Sequence, residues 1–263
     1  MESSIAAHVR IGMTLPRLGL AFLALVTGLG CLNVPTEVSD SANQRGEGKG
    51  VLFIGNSYLY VGEIPNMVRA LADSAGGEKL AVAMVAGPDF ALIDHWIEGT
   101  APRAVDLGGW SWVVLQQGPS STDLNRDTLR LGTKLFADRI AFVNARTVLF
   151  SAWPAENRQE DFPRAIDSYH LAADDVGGIF LPVANAWLAA WKRDANLKLY
   201  SDGLHPSDLG SYLSALVTYG VLLEKSPVGL PSKLKLVSGK NVSIDPAVAA
   251  LLQAAAAEAI AGK

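Results

Sequence analysis

The sequence predicts an α/β fold in which a five-stranded parallel sheet lies between two helical layers, a three-layer αβα sandwich. Two observations lead to this prediction. Five short apolar runs alternate with segments whose apolar residues recur at helical spacing. The runs follow one another at roughly thirty-residue intervals, which leaves room for a helix between consecutive parallel strands. The predicted strands cover residues 51–54, 80–86, 110–116, 147–152 and 178–183.

Helical segments fill the intervals between these runs and continue to the end of the chain. The predicted helices cover residues 64–75, 90–97, 127–144, 162–176, 185–192, 207–223 and 246–261. Ser207 is the predicted N-cap of the long apolar helix, because its side-chain oxygen can accept from the free N–H groups of the first turn. Residues 226–243 combine Pro and Gly with alternating residues, which indicates a small additional hairpin.

Length and composition favour one globular domain that acts without nucleic acid. The chain has 263 residues, of which 49% are hydrophobic, and a net charge of -4. It has no run of Lys and Arg to neutralise phosphates, and no Gly-rich dinucleotide or nucleoside triphosphate motif. We expect a monomeric domain over residues 50–225. A C-terminal extension over residues 226–263 should place its helix against that domain.

The first 49 residues predict export followed by a tether. Positive residues precede a short apolar stretch that suits a secretory signal better than a membrane span. Cys31 follows directly, which resembles the lipobox of bacterial lipoproteins, although Gly28 stands where leucine is usual. We therefore expect residues 1–31 to be a signal peptide with lipidation at Cys31, which makes a lipid anchor the only membrane contact. Ordinary signal cleavage and an uncleaved anchor are the alternatives. Residues 32–49 are polar and predict a flexible linker.

Polar residues capable of acyl transfer stand at the ends of this predicted sheet. Ser57 follows the first strand, where open α/β sheets keep their ligands, although a serine there can also be a simple turn or cap residue. Asp202 and His205 lie three residues apart in a loop that Pro206 restricts. A carboxylate can orient the imidazole, and the imidazole can act as the base that a serine nucleophile needs. The alternative is a loop-stabilising pair.

These two blocks resemble those of the SGNH hydrolases, also called GDSL-type esterases. The family has Gly-Asp-Ser or Gly-Asn-Ser after its first strand, matched by residues 55–57, and Asp-x-x-His near its end, matched by residues 202–205. The resemblance covers about residues 50–223. It implies a flavodoxin-like sheet and acyl transfer through an acyl-enzyme, with Ser57 as nucleophile, His205 as base and Asp202 as the residue that orients the base.

The resemblance also implies an oxyanion hole. Its donors would be the backbone N–H of Ser57, the glycine after the second strand, Gly87, and an amide side chain after the third. The family's Gly-x-Asn-Asp block is absent there, and Gln116-Gln117-Gly118 takes its place. A Gln-Gly at this point is similar to some carbohydrate-acetylesterase branches of the superfamily. We favour Gln117 as the donor, with Gln116 bordering the pocket or buried as a bridge between loops.

The expected function is hydrolysis of small acyl esters, chiefly acetyl esters, including those on carbohydrates, without cofactor or metal. Trp153, after the fourth strand, is placed either to line the substrate pocket or to pack in the core. His95 is expected to be a structural histidine rather than a catalytic one. The alternative function is a binding protein of the same fold, tethered at the cell surface, that holds a glycan or another ligand without turnover.

Overall fold

A five-stranded parallel sheet forms the centre of the molecule. The structure is a computed structural model that describes residues 48–262. The strand order is β2-β1-β3-β4-β5, and every neighbouring pair is parallel. The sheet confirms the predicted fold class. Its strands are β1 (Lys49–Gly55), β2 (Leu80–Ala86), β3 (Trp110–Leu115), β4 (Arg146–Phe150) and β5 (Ile179–Leu181).

Helices cover both faces of the sheet, in two groups that pack among themselves. One group contains α2, α7, α8 and α9, and the other contains α3, α4, α5 and α6. A short 3-10 helix, Glu156–Asp161, precedes α6. The α-helices are α1 (Ser57–Tyr60), α2 (Ile64–Ser74), α3 (Leu92–Glu98), α4 (Thr100–Asp106), α5 (Asp123–Phe142), α6 (Phe162–Asp174), α7 (Val183–Arg193), α8 (Asp208–Leu223) and α9 (Pro246–Ala261).

The sheet order creates a switch point between β1 and β3. The chain leaves β1 toward β2 on one side and returns to β3 on the other side. In open parallel sheets, ligands bind beside the carboxyl ends of the strands at such a point, because the connecting loops diverge there and leave a crevice. β1 and β3 are also the most deeply buried strands, with helices over both faces. The residues that follow these two strands are therefore the first place to look for a site.

Several element boundaries differ from the sequence prediction for local reasons. The helix predicted over residues 90–97 is followed by a second one, α4. Gly99, with a φ of 89°, ends α3 in the left-handed conformation and turns the chain. α5 begins four residues earlier than predicted, because the side chain of Thr122 accepts from the N–H of Asn125 and caps it there. β1 begins at Lys49, inside the predicted linker, whereas residues 1–47 lie outside the described part of the chain.

The C-terminal residues pack on the helices that cover one face of the sheet. β6 (Lys233–Lys235) and β7 (Asn241–Ser243) form an antiparallel pair, which confirms the predicted hairpin. Helix α9 packs on α7 and α8 and so adds an outer layer to this side. Between residues 48 and 262, no helix combines the length and the apolar character that a membrane span requires.

Gly210, in the first turn of α8, provides a test of this packing. A Cβ atom there would overlap the carbonyl oxygen of Leu199 and lie 2.8 Å from Cζ2 of Trp187. Alanine ordinarily stabilises a helix by about 1 kcal/mol relative to glycine. We expect the opposite for Gly210→Ala, a loss of about 1–3 kcal/mol in the free energy of unfolding, because the core is overpacked. Urea denaturation would measure it.

The control is Gly118→Ala. A Cβ at Gly118 meets nothing within 4 Å, so the change should stay within about 0.5 kcal/mol. If Gly210→Ala proved as stable as the wild type, α8 could not pack as closely on Leu199 and Trp187 as described.

Candidate active site

Ser57 lies at the carboxyl edge of the central strand β1. It is the first residue of helix α1 and is 7% exposed. Asn56 caps this helix, because its side-chain oxygen accepts from the N–H of Tyr58 at 3.2 Å. Asn56 also donates from Nδ2 to the carbonyl oxygen of Phe90 at 3.1 Å. The side chain of Asn56 thus fixes the turn that presents Ser57.

Gln116, which follows β3, holds this turn from the other side of the switch point. Its Oε1 accepts from the backbone N–H of Asn56 at 2.9 Å, and its Nε2 donates to Oδ1 of Asn56 at 3.0 Å. A Cβ at Gly55 would overlap Oε1 of Gln116, so only glycine leaves room for this contact. Gln116 is fully buried. Of the two roles considered for it, a bridge between loops fits this structure, and a pocket wall does not.

Asp202 and His205 form a hydrogen-bonded pair in the loop before α8. Oδ2 of Asp202 lies 2.7 Å from Nδ1 of His205, and Oδ1 accepts from the N–H groups of Leu204 and His205. The bond from the imidazole, followed by the two backbone bonds, lowers the pKa of Asp202 to about 2. The carboxylate therefore accepts the hydrogen of Nδ1, which leaves Nε2 of His205 as the basic atom.

Aromatic residues beneath this loop hold it in place. Nε1 of Trp153 donates to the carbonyl oxygen of Leu204 at 3.0 Å. The hydroxyl of Tyr200 donates to the carbonyl oxygen of Pro154 at 2.6 Å. Trp153 stacks on Trp187 with 4.0 Å between ring centroids and is fully buried. A fully buried side chain presents no surface to a substrate. Of the two roles considered for Trp153, core packing fits this burial and pocket lining does not, and its hydrogen bond supports the loop that carries His205.

Tyr58 and Gly62 connect the serine turn to the histidine loop. The Tyr58 ring centroid lies 6.4 Å from that of His205 and 5.1 Å from that of Trp153. A Cβ at Gly62 would lie 3.1 Å from Cγ of Pro206. Within residues 48–262 no hydrogen bond joins the Ser57 hydroxyl to the His205 imidazole. Such bonds often form only when substrate is bound.

The Tyr58 phenol stays neutral beside this pair. Burial raises its pKa above the ordinary value, and the negative charges of Asp202 and Asp89 raise it further. Tyr58 therefore contributes a neutral hydroxyl and an aromatic surface between the serine turn and the histidine loop, and it adds no charge beside His205.

The predicted oxyanion donors differ in whether their N–H groups already donate a hydrogen bond within the protein. The Ser57 N–H donates to no group between residues 48 and 262. By contrast, the N–H of Gly87 donates to the carbonyl oxygen of Gly55 at 3.2 Å. Nε2 of Gln117 donates to Oγ of Ser120 at 2.9 Å and to the carbonyl oxygen of Asn125 at 3.2 Å. Gly87 and Gln117 would each have to give up a bond to bind an oxyanion, and their place in the hole stays a prediction.

His95 supports the serine turn from below. It is 1% exposed, and its Nε2 donates to the carbonyl oxygen of Gly55 at 2.7 Å. Burial lowers the pKa of His95, so the ring is neutral with its hydrogen on Nε2. Nδ1 has no partner within the described residues. These contacts agree with a structural histidine, as the sequence analysis expected.

The sheet order and these strand-end residues define the class of fold: the chain has the fold of the SGNH hydrolases. Three solved structures of similar architecture illustrate this. One is a DUF4886 family protein from Bacteroides uniformis, with a TM-score of 0.63 and 16% identity over 81% of this chain and 95% of that one. Another, from Slackia heliotrinireducens, is provisionally assigned to the SGNH hydrolases. Its TM-score is 0.56, and the two chains are 24% identical over 67% of this chain and 100% of that one.

The third is the acetyl xylan esterase AlAXEase, with a TM-score of 0.54 and 17% identity over 66% of this chain and 99% of that one. Neither a protein-family model nor a curated protein sequence matches the chain. Across residues 48–262 no group of three or more His, Cys, Asp or Glu side chains is arranged to hold a metal ion. Cys31, the predicted lipidation site, lies outside the described residues.

The Asp202–His205 pair can be tested by titration. We expect the Asp202 carboxyl to titrate with a pKa of about 2, against an ordinary 3.8. His205→Ala removes the imidazole hydrogen bond, which is the main cause of the low Asp202 pKa. The pKa of Asp202 should therefore rise but stay below 3.8, because two backbone N–H groups still donate to the carboxylate. Carboxyl carbon shifts measured by NMR against pH would record both values.

Asp106 is the internal control, because Arg139 lowers its pKa and His205 does not contact it. The Asp202 pKa is depressed in the folded state, so the stability it contributes is present above pH 3.8 and is lost as the pH falls through about 2. Asp202 is largely exposed, which keeps this contribution small. An Asp202 pKa that does not move in His205→Ala would contradict the described pair.

Proposed function

We propose that this protein is a serine ester hydrolase in which Ser57 is the nucleophile, His205 the general base and Asp202 the residue that orients His205. The observation that carries the proposal is the Asp202–His205 hydrogen bond of 2.7 Å, in a loop whose His205 ring lies 6.4 Å, between centroids, from the ring of Tyr58 in the helix begun by Ser57. A serine hydroxyl is a poor nucleophile without such a base. The position of Ser57 directly after β1, at the β1–β3 switch point, supports the same interpretation.

The proposed reaction has two halves. Nε2 of His205 takes the proton of the Ser57 hydroxyl as Oγ bonds to the carbonyl carbon of the ester. The Ser57 N–H faces the oxyanion of the tetrahedral intermediate. When the intermediate collapses, the bond to the alcohol oxygen breaks and the alcohol takes the proton from His205. Water then repeats the sequence on the acyl-serine and releases the acid. Asp202 stays ionised throughout and stabilises the imidazolium.

A short acyl group, such as acetyl, on a carbohydrate is the proposed substrate. Packing beside Gly87 is tight, because a Cβ there would lie 2.8 Å from the Phe90 ring. A short acyl chain suits such close packing better than a long one. The similarity of the fold to an acetyl xylan esterase and the Gln117-Gly118 sequence add support for a sugar ester.

Two features of the hydrogen bonding favour the competing function, a ligand-binding protein with an inactive site. Gly87 and Gln117 already donate within the protein, and the Ser57 hydroxyl does not bond to His205 among the described residues. A site that keeps this arrangement when occupied could bind a glycan without hydrolysing it. The two functions differ in whether Ser57 reacts.

Substitution of Ser57 separates these functions. We expect the wild type to hydrolyse p-nitrophenyl acetate and to be labelled covalently by a fluorophosphonate probe. Ser57→Ala should lower kcat/KM by at least about a thousandfold and abolish labelling, because no other group supplies the nucleophile. Absorbance kinetics and intact-protein mass spectrometry would measure the two effects.

The matched control is Ser74→Ala. Ser74 is an exposed serine on α2 whose hydroxyl donates to the carbonyl oxygen of Ala70 in its own helix, so this variant should keep full activity and labelling. Labelling that persists in Ser57→Ala would exclude Ser57 as the nucleophile. A wild type that turns over no ester yet binds a glycan would favour the binding protein.

We also propose that the mature protein is exported and held on a membrane by a lipid at Cys31. The apolar stretch before Cys31 and the polar residues 32–47 after it support this arrangement. Cys31→Ala should move the protein from the membrane fraction to the soluble fraction of a bacterial host and abolish incorporation of a labelled fatty acid. Cys31→Ser serves as a near-isosteric second variant. Unchanged fractionation in both would refute lipidation.

A further inference from the structure

A cavity of about 470 Å³ lies directly beside both catalytic elements. Val61 and Gly62, which follow helix α1, form one wall, and Ser201 and Pro206 of the histidine loop form another. The N–H of Val61 donates to the carbonyl oxygen of Ser57 at 3.1 Å, so this wall begins one helical turn, about 5.4 Å, beyond the nucleophile. A ligand as large as a sugar could therefore reach Ser57 and the cavity at once.

Positive charge predominates in this cavity, although the whole chain carries a net charge of -4. Lys198 and Lys240 contribute two ammonium groups, and Asp208 contributes the only carboxylate among the lining residues. Nζ of Lys240 lies 2.8 Å from Oδ1 of Asp208. Nζ of Lys198 makes no hydrogen bond or ion pair with residues 48–262. One positive charge is therefore left without a counter-charge in the cavity wall.

Two separate parts of the chain build this arrangement. Lys198 precedes the histidine loop, and its carbonyl oxygen accepts from the Ser207 hydroxyl at 2.6 Å, which fixes its backbone to the start of α8. Lys240 comes from the turn between β6 and β7, in the C-terminal hairpin, and Asp208 holds its side chain toward α8. The first turn of α8 adds its positive dipole end. Unpaired positive charge so close to a reaction centre favours a negatively charged ligand.

We propose that this cavity binds an anionic group, such as the carboxylate of a uronic acid residue, on the same molecule whose acyl ester reaches Ser57. This inference rests on the proposed esterase function and narrows its substrate class to acylated acidic carbohydrates. Lys198 binds the anion directly, and Lys240 adds a second, partly neutralised charge. Lys198 and Lys240 are thus specificity-determining residues.

A matched pair of substrates tests this inference. Methyl 3-O-acetyl glucuronoside and methyl 3-O-acetyl glucoside differ only in a carboxylate at C6. We expect the wild type to favour the anionic ester by about tenfold or more in kcat/KM, since one charge-assisted hydrogen bond contributes about that factor. Lys198→Gln should remove most of the preference, and the double variant Lys198→Gln/Lys240→Gln should remove the rest. Asp208→Asn should increase the preference, because it removes the opposing carboxylate.

The control is Lys49→Gln, which removes one positive charge, as Lys198→Gln does. Lys49 lies at the amino end of β1, at the edge of the sheet opposite to Ser57. This variant should keep the full preference. Added salt should reduce the preference of the wild type, because mobile ions screen the lysines. If both esters are hydrolysed equally, or if Lys198→Gln and the double variant keep the preference, the inference is wrong and the esterase function stands.

Binding of an oligoglucuronate, measured by calorimetry, decides the case in which neither ester is hydrolysed. Binding to the wild type that is weakened in Lys198→Gln and unchanged in Lys49→Gln would support the anion site while the esterase proposal fails. No binding to the wild type, or equal binding to the wild type, Lys198→Gln and Lys49→Gln, would overturn the anion site as well.

Discussion

The site depends on two hydrogen bonds between the buried amide of Gln116 and residue Asn56. They join the ends of β1 and β3 across the switch point, and they act in a dry interior where an amide left unpaired costs about 1–3 kcal/mol. The Gln116 oxygen accepts from the Asn56 N–H, and the Gln116 NH2 group donates to the Asn56 side-chain oxygen and to the carbonyl oxygen of Gln117. This reciprocity sets the turn that carries Ser57, and it explains why Gly55 has no side chain.

The loop that carries His205 is held chiefly by aromatic residues, whereas amide hydrogen bonds hold the turn that carries Ser57. Its loop rests on a cluster of large aromatic rings. Trp153 donates its one polar hydrogen to the carbonyl oxygen of Leu204 in this loop, and Tyr200 donates its own to the carbonyl oxygen of Pro154, after β4. Buried aromatic residues combine a large packing area with few rotatable bonds, so they fix a loop at low entropic cost. The turn that carries Ser57 is thus positioned by side-chain hydrogen bonds, and the loop that carries His205 by aromatic packing together with hydrogen bonds. The two supports meet at Tyr58, between His205 and Trp153.

The parallel sheet could be predicted from the sequence because doubly covered strands must be apolar on both faces, a pattern that short runs such as residues 51–54 display directly. Ser57, Asp202 and His205 could be named because each stands beside a strand end or a restricted turn. The partners of Gln116 and Gln117 could not. An amide side chain satisfies any nearby donor or acceptor, and Gln116 meets Asn56 from 60 positions away. The burial of Trp153 was equally hidden, since a tryptophan after a strand suits a pocket and a core alike.

The contact between Asn56 and Phe90 limits how this motif could change over evolution. Aspartate and asparagine have nearly the same shape, and Gly-Asp-Ser would look like an equivalent signature in an alignment. Here Nδ2 of Asn56 donates to a carbonyl oxygen in a position only 4% exposed. A carboxylate would place two acceptors face to face without water between them. The identity of the middle residue is therefore decided by the loop after β2, and a lineage could exchange the two signatures only by remodelling that loop as well.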